Sequence, residues 1–277
     1  MIKLCVGLLT YCDSGTHPER YKIFSECLPT LKNIAGPDVY IFAIDNGSSD
    51  DVIRDLKECQ YLDEVYQATE NLYDILAVNL LIRKAEELNS EYVMHLEDDF
   101  FFYRGNFLNS CIEFFDTNKE CGYLRILKYD IHNMPIYDKL SGHKDTDRSN
   151  CQRHYNNISK ELLQWTERQR IGDFDFYTNN WHWYNFANIC RTEVFKRIVP
   201  TYSTPPLQAL EGEMMKNYHM LDLKTGVMDQ GVVEHVGTFD KKTSLRLSFK
   251  NPETHEPKNQ FPVVTMKSIN AELDKIL

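Results

Sequence analysis

Short apolar runs alternate with longer stretches that place an apolar residue at every third or fourth position through the first hundred residues. Residues 3–10, KLCVGLLT, are almost continuously apolar, as a strand buried on both faces must be. Ile23, Phe24, Cys27, Leu28 and Leu31 then recur at helical spacing, which predicts a helix from about Glu19 to Asn33. DVYIFAID, residues 38–45, predicts a second buried strand, closed by the turn sequence DNGSSDD. The next helix takes Ser49 as its N-cap and Val52, Ile53 and Leu56 as its inner face. A short strand near DEVYQAT leads to a helix from about Tyr73 to Leu88, and EYVMHL, residues 91–96, is one more buried strand.

Strands alternating with helices predict an α/β fold, a mostly parallel sheet flanked by helices on both faces. Ligands of such sheets bind outside the carboxyl ends of the strands. Thr10, Asp45 and the consecutive acids Glu97, Asp98 and Asp99 all stand at those ends, so they are expected to line one crevice. The second half is less regular. Residues 141–157 are almost free of apolar side chains and predict an exposed loop. Core-like patterning returns after Trp181, with helices expected near Thr192 and after Pro205-Pro206, a strand at GVVEH and a terminal amphipathic helix from Met266. No repeat or linker divides the chain, which predicts one domain over residues 1–277.

Charge narrows the partners. With 31 basic and 41 acidic residues the net charge is −10, which disfavours nucleic acid and anionic membrane surfaces. No stretch approaches the ~20 apolar residues of a membrane span, and the first residues lack the apolar core of a secretory signal. Eight cysteines without a C-x-x-C pair predict free thiols, and with them a cytoplasmic protein.

The acids carry the chemistry. Adjacent carboxylates about 4 Å apart repel by roughly 1 kcal/mol even in water, so a strand-end triplet calls for compensation. Hard oxygen ligands suit Mg2+ or Mn2+, whose shell a substrate's phosphates complete. The plainer account is that Asp98 or Asp99 caps a turn or a helix while the other acids are solvated.

The ordered set VGLLTY, YIFAIDNGSSDD and ENLYDILAVNLLIRKAEELNSEYVMHLEDDF resembles the nucleotide-binding half of the GT-A glycosyltransferases, in particular the family 2-type enzymes. The resemblance covers residues 3 to 102. It implies a nucleotide-binding half over about 1–102, an acceptor and catalytic half over about 103–240 and a tail over about 241–277. It implies Thr10 and Tyr11 as walls of the nucleotide pocket, Asp45 with its neighbour Asn46 at the base or ribose, and Asn79 and Arg83 on a helix approaching the donor. Glu97 matches the first acid of the family's D-x-D-type motif, near the ribose, and Asp99 the last, which binds metal; Asp98 is open to either role. The sequence departs from the family at Leu72 and Tyr73, where small residues are common, and at Glu97, which replaces Asp.

The resemblance further implies a UDP- or GDP-linked sugar donor, a divalent metal, Mn2+ or Mg2+, and a glycan or other hydroxyl acceptor. In inverting members the general base is an acid at the start of a late helix. LEGEMMK offers Glu211 and Glu213, with Glu213 preferred, although Gly212 breaks the usual pair and both could serve only the helix dipole. His235 resembles a late histidine that completes the metal shell, against a purely structural place in a strand. Lys241, Lys242 and Arg246 could close over a diphosphate or lie in a solvated turn. Trp181, Trp183 and Tyr184 are candidate acceptor contacts, because amphipathic rings stack on sugar faces, though core packing competes. Two other functions fit the same residues. A sugar nucleotidyltransferase also uses acids and a metal but normally needs a glycine-rich basic loop, which TYCDSGTHPER matches poorly. A catalytically silent GT-A-like module would keep the fold and hold glycans.

Overall fold

The computed structural model describes residues 2–16, 18–68, 73–127, 168–179, 187–200, 208–229, 231–236 and 266–276. Strand β1, Leu4–Thr10, is buried along its whole length and pairs in parallel with β2, Val39–Asp45, on one side and β4, Tyr92–Glu97, on the other. β3, Glu64–Gln67, extends the parallel set at its edge, next to β2. The connecting helices are α1, Pro18–Cys27, α2, Asp50–Glu58, and α3, Tyr73–Glu87. Gly7 leaves room for the Phe42 ring of β2, which a Cβ there would meet at 3.1 Å.

The helix expected from Glu19 to Asn33 is two elements. An α-helix ends at Cys27 and a 3-10 helix, Leu28–Asn33, continues it, with Pro29 in its first turn. Proline lacks the amide that an α-helix needs in its interior and clashes with the preceding turn, which accounts for the break. Ser49 does occupy the N-cap position of α2, yet makes no cap bond; its hydroxyl donates to Asp51 Oδ1 at 2.6 Å and accepts the Ser14 N–H at 3.1 Å.

The second half inserts antiparallel strands into the sheet. After β5, Phe100–Phe102, and α4, Leu108–Thr117, come β6, Cys121–Arg125, β7, Gln169–Ile171, β8, Phe174–Asn179, and β9, Asn188–Arg191. Helices α5, Thr192–Ile198, and α6, Gln208–His219, precede β10, Lys224–Met228, and β11, Val233–His235; α7, Met266–Ile276, is the last element. The nine-stranded sheet runs β3-β2-β1-β4-β9-β6-β10-β8-β7, and β11 pairs with β5 in a separate ribbon. β9 enters antiparallel between β4 and β6, β6 and β10 pair in parallel again, and β8 and β7 close the far edge antiparallel. Tyr218 of α6 ties the second half together: its hydroxyl accepts the Gly122 N–H at 3.0 Å and donates to the Lys224 carbonyl at 2.6 Å.

Seven cysteines among the described residues are free thiols, and no described helix is long and apolar enough to cross a membrane.

Candidate active site

The parallel register brings the predicted strand ends together: Thr10 stands opposite Asp45, and Leu9 opposite Glu97. The loops beyond them are laced to each other. Asn46 N–H donates to the Thr10 carbonyl at 2.9 Å, Cys12 N–H to Ser48 Oγ at 3.0 Å and Ser49 N–H to the Cys12 carbonyl at 3.0 Å. Asp45 holds its own turn, accepting the Gly47 N–H at 3.2 Å and the Ser48 N–H at 3.0 Å. Gly47 has φ +91°, which a side chain rarely adopts, so the DNG turn depends on it. Asp45 and Asn46 are thus buried in this turn, and Tyr11 is 45% exposed.

The β5–β11 ribbon delivers the metal candidates. Gly231, at φ +61° and with Ile126 and Leu127 backbone where a Cβ would stand, turns the chain into β11. His235 then pairs with Phe100, their rings stack at 4.6 Å, and Val236 N–H donates to the Asp99 carbonyl at 3.0 Å. His235 Nε2 lies 3.0 Å from Asp99 Oδ1 and 3.8 Å from Glu97 Oε2. One ligand atom from each of Glu97, Asp99 and His235 falls within 4.8 Å of the others. Asp99 Oδ1 is buried and its close neighbour is His235 Nε2, so both atoms could turn to a cation. Two carboxylates and an imidazole suit Mn2+.

Asp98 is differently placed. Consecutive residues at a strand end face opposite ways, and Asp98 turns to α1, where Arg20 Nη2 meets its Oδ1 at 2.8 Å while its Oδ2 accepts the Tyr11 N–H at 3.2 Å. Neither Arg20 nor Asp74, a buried first-turn acid of α3, was expected from the sequence.

Electrostatics bind the group together. Burial raises Glu97 well above the usual carboxylate range, and Asp99, Asp74, Glu211 and Asp98 add to it. Burial lifts Asp74 to about 7 against the pull of Arg20, and Asp98 to about 6, also opposed by Arg20. Asp99 alone of these acids is lowered: burial pushes it up, but His235, Arg20 and a backbone hydrogen bond together outweigh that. His95, on the neighbouring strand position, is pushed down to about 3 by burial and is neutral.

Glu211, in the first turn of α6, is raised to about 7 by burial and by Asp74, with His235 opposing. It therefore shares the field of the acid cluster. Glu213 faces Lys216 at 3.8 Å with its side chain 38% exposed, so the structure brings Glu211 to the site and leaves the preferred Glu213 beside it. The sequence held the signal for this: Leu210, Met214 and Tyr218 form the buried stripe of α6, and Glu211 lies closer to that stripe than Glu213.

Two further expectations go elsewhere. Arg83 donates to Asn270 Oδ1 at 2.9 Å and pairs with Asp274 at 3.5 Å on α7, nine residues and about 13 Å along α3 from Asp74. Asn79 Nδ2 donates to the Ile75 carbonyl of its own helix at 2.8 Å. Trp181, Trp183, Tyr184, Lys241, Lys242 and Arg246 lie outside the described residues.

Carboxyl groups raised by folding take up protons that the unfolded chain has released, so stability falls as pH rises from about 4 through about 7. Asp74, Asp98, Glu97 and Glu211 all act in this sense and Asp99 in the other. Chelator-treated protein should melt about 5–10 °C higher at pH 5.5 than at pH 7.5, the effect of about one net proton, or about 2.7 kcal/mol over two pH units, in a domain of this size. Differential scanning calorimetry at the two pH values measures it; an unchanged or reversed order would mean that the acids are not clustered as described.

Searches of protein-family models and of curated proteins return no match for this sequence. Solved structures do match. S. aureus TarS, as a fragment of residues 1–349, superposes with a TM-score of 0.52 at 15% identity over 89% of this chain and 64% of the other. The same fragment in complex with UDP-GlcNAc gives 0.53 at 15% identity over 84% and 58%. The mannosyltransferase PcManGT from Pyrobaculum calidifontis, in complex with GDP-Man and Mn2+, gives 0.52 at 13% identity over 89% and 59%. The fold is that of the GT-A glycosyltransferases. In this GT-A fold the chain spans about three fifths of the length of the structures it matches. Identities this low establish the architecture and leave substrates to be argued from the site.

Proposed function

We propose that this chain is a metal-dependent, inverting glycosyltransferase that moves a sugar from a UDP- or GDP-linked donor to a hydroxyl of a glycan or other acceptor. The observation that carries this is the triad of Glu97, Asp99 and His235 at the strand ends of a GT-A fold, with Glu211 in the same electrostatic cluster. Structural neighbours crystallised with UDP-GlcNAc and with GDP-Man and Mn2+ support the donor class.

Each residue then has a task. The laced loops carrying Thr10, Tyr11, Asp45 and Asn46 frame the nucleoside. Glu97, Asp99 and His235 would hold Mn2+ or Mg2+, which when bound supplies positive charge for the diphosphate leaving group. Glu211 accepts the proton of the acceptor hydroxyl as its oxygen attacks the anomeric carbon; the bond from that carbon to the diphosphate breaks, and its electrons leave with the phosphate oxygen. A base near pH 7 suits this work, because it is largely deprotonated yet still basic enough to take the proton. We read the chain as one catalytic unit, and its free thiols support a reducing, cytoplasmic setting.

The direct test offers UDP-GlcNAc and GDP-mannose, among a panel of nucleotide sugars, with Mn2+ and follows nucleoside diphosphate release. The expected result is release from one donor class that a chelator stops. Pyrophosphate released from a nucleoside triphosphate and a sugar phosphate would instead establish nucleotidyl transfer, and donor binding without release a silent module.

A further inference from the structure

The acid triplet contains one more carboxylate than the metal triad uses. Asp98 sits between two candidate ligands, its side chain 1% exposed, and a buried carboxylate beside a divalent cation would ordinarily compete for it. Both of its oxygens are already committed. Oδ1 is held by Arg20 Nη2 at 2.8 Å and Oδ2 by the backbone amide of Tyr11 at 3.2 Å. The Arg20 side chain is itself four-fifths buried, so this is an ion pair in a low-dielectric setting and not a screened surface contact.

The same contact reaches further. Through Asp98, α1 is joined both to the end of β4 and to the first residue of the loop after β1, and that loop is laced through Cys12 and Ser14 to Ser48 and Ser49. Arg20 also lies in the field of Asp99 and Glu97, which together with Asp98 raise its already high pKa.

We infer that Arg20 is a positioning residue for the metal triad: by pairing with Asp98 it keeps that carboxylate turned to the Tyr11 amide, so that Glu97, Asp99 and His235 alone face the cation. The inference rests on the metal-dependent reading above. Remove Arg20 and a buried carboxylate is left unpaired beside the ligands; it turns toward the cation and draws the Tyr11 loop with it. Remove Asp98 instead and a buried guanidinium is left unpaired, repelling the cation. Neutralise both, and the imbalance disappears.

Mn2+ alone is the probe, with its affinity and hyperfine pattern read by electron paramagnetic resonance. Residues that orient metal ligands typically cost 10–100-fold in affinity when removed. Arg20→Met is therefore expected to weaken Mn2+ binding about tenfold or more and to change the spectrum. Arg20→Lys, which keeps the charge, should stay within about threefold of the wild type. Asp98→Asn should also weaken binding about tenfold, and Arg20→Met with Asp98→Asn together should return to within about threefold of the wild type. Should Arg20→Met fail to fold, the comparison of Asp98→Asn with the double variant decides the matter. An Arg20→Met protein with wild-type affinity and spectrum, or a double variant no better than Asp98→Asn, overturns the inference. Wild-type protein that binds no Mn2+ overturns the metal-dependent reading itself, which is a separate result.

Discussion

Asp99→Ala should remove most of the heat stability that UDP or GDP is expected to confer on this protein in the presence of Mn2+. The wild type, given nucleotide and metal at a hundred times their dissociation constant, should gain about 2.7 kcal/mol, or about 5–10 °C in a domain of this size. Asp99 is expected to carry most of that gain. It is buried, faces His235 at 3.0 Å, and is the one acid of the cluster whose carboxylate form the fold favours. Glu97 is the less ready ligand before an ion arrives, because burial and the surrounding acids raise its pKa. Thermal-shift measurements with UDP, GDP and no nucleotide, each with and without Mn2+, test the point. Equal gains in wild type and variant would place the metal elsewhere, and no gain with any nucleotide would count strongly against a nucleotide-sugar enzyme.

Glu211→Gln should lower the turnover number by about 10²–10⁴-fold while leaving nucleotide and Mn2+ binding within a few-fold, the signature of a lost general base. Glu213→Gln should change it by less than about threefold, since that side chain faces Lys216 and solvent. The wild-type rate at saturating donor should rise between pH 6 and 8 with a midpoint near 7, because Glu211 must be deprotonated to accept the acceptor's proton. Loss of that midpoint in Glu211→Gln would tie it to this residue. Full activity in Glu211→Gln, with a deficit in Glu213→Gln, would restore the assignment that the sequence alone preferred.

The first half was legible for a physical reason. β1, β2 and β4 are short, nearly unbroken apolar runs that end in turn residues or acids, so their carboxyl ends could be located and Thr10, Asp45 and Glu97 placed on one edge before any coordinates. What escaped were charges supplied by helices. Arg20 lies in the first turns of α1 and Asp74 in the first turn of α3, where a lone charge is indistinguishable in sequence from one that is solvated or serves the helix dipole. Only packing shows that both are turned inward. Glu211 and Glu213 were ambiguous for a related reason. Two residues apart on a helix they point about 200° from each other, so the face decides, and the face follows from which of Leu210, Met214 and Tyr218 are buried. The antiparallel strands of the second half were not legible: β9 enters the sheet between β4 and β6 in the opposite direction, and no alternation of strand and helix announces it, although β6 and β10 pair in parallel as the first strands do.

The β5–β11 ribbon also bears on how the chain comes to be finished. It sets His235 against Asp99 across roughly half the length of the sequence, with β6, β9 and β10 of the main sheet lying between β5 and β11 along the chain. A cation held by both sides would close that long loop, so it would bind the completed fold and have no comparable grip on a partly folded one. Metal occupancy would then act as an inspection mark: molecules whose second half has not docked would neither hold the ion nor handle the donor, and would stay open to proteases until they did.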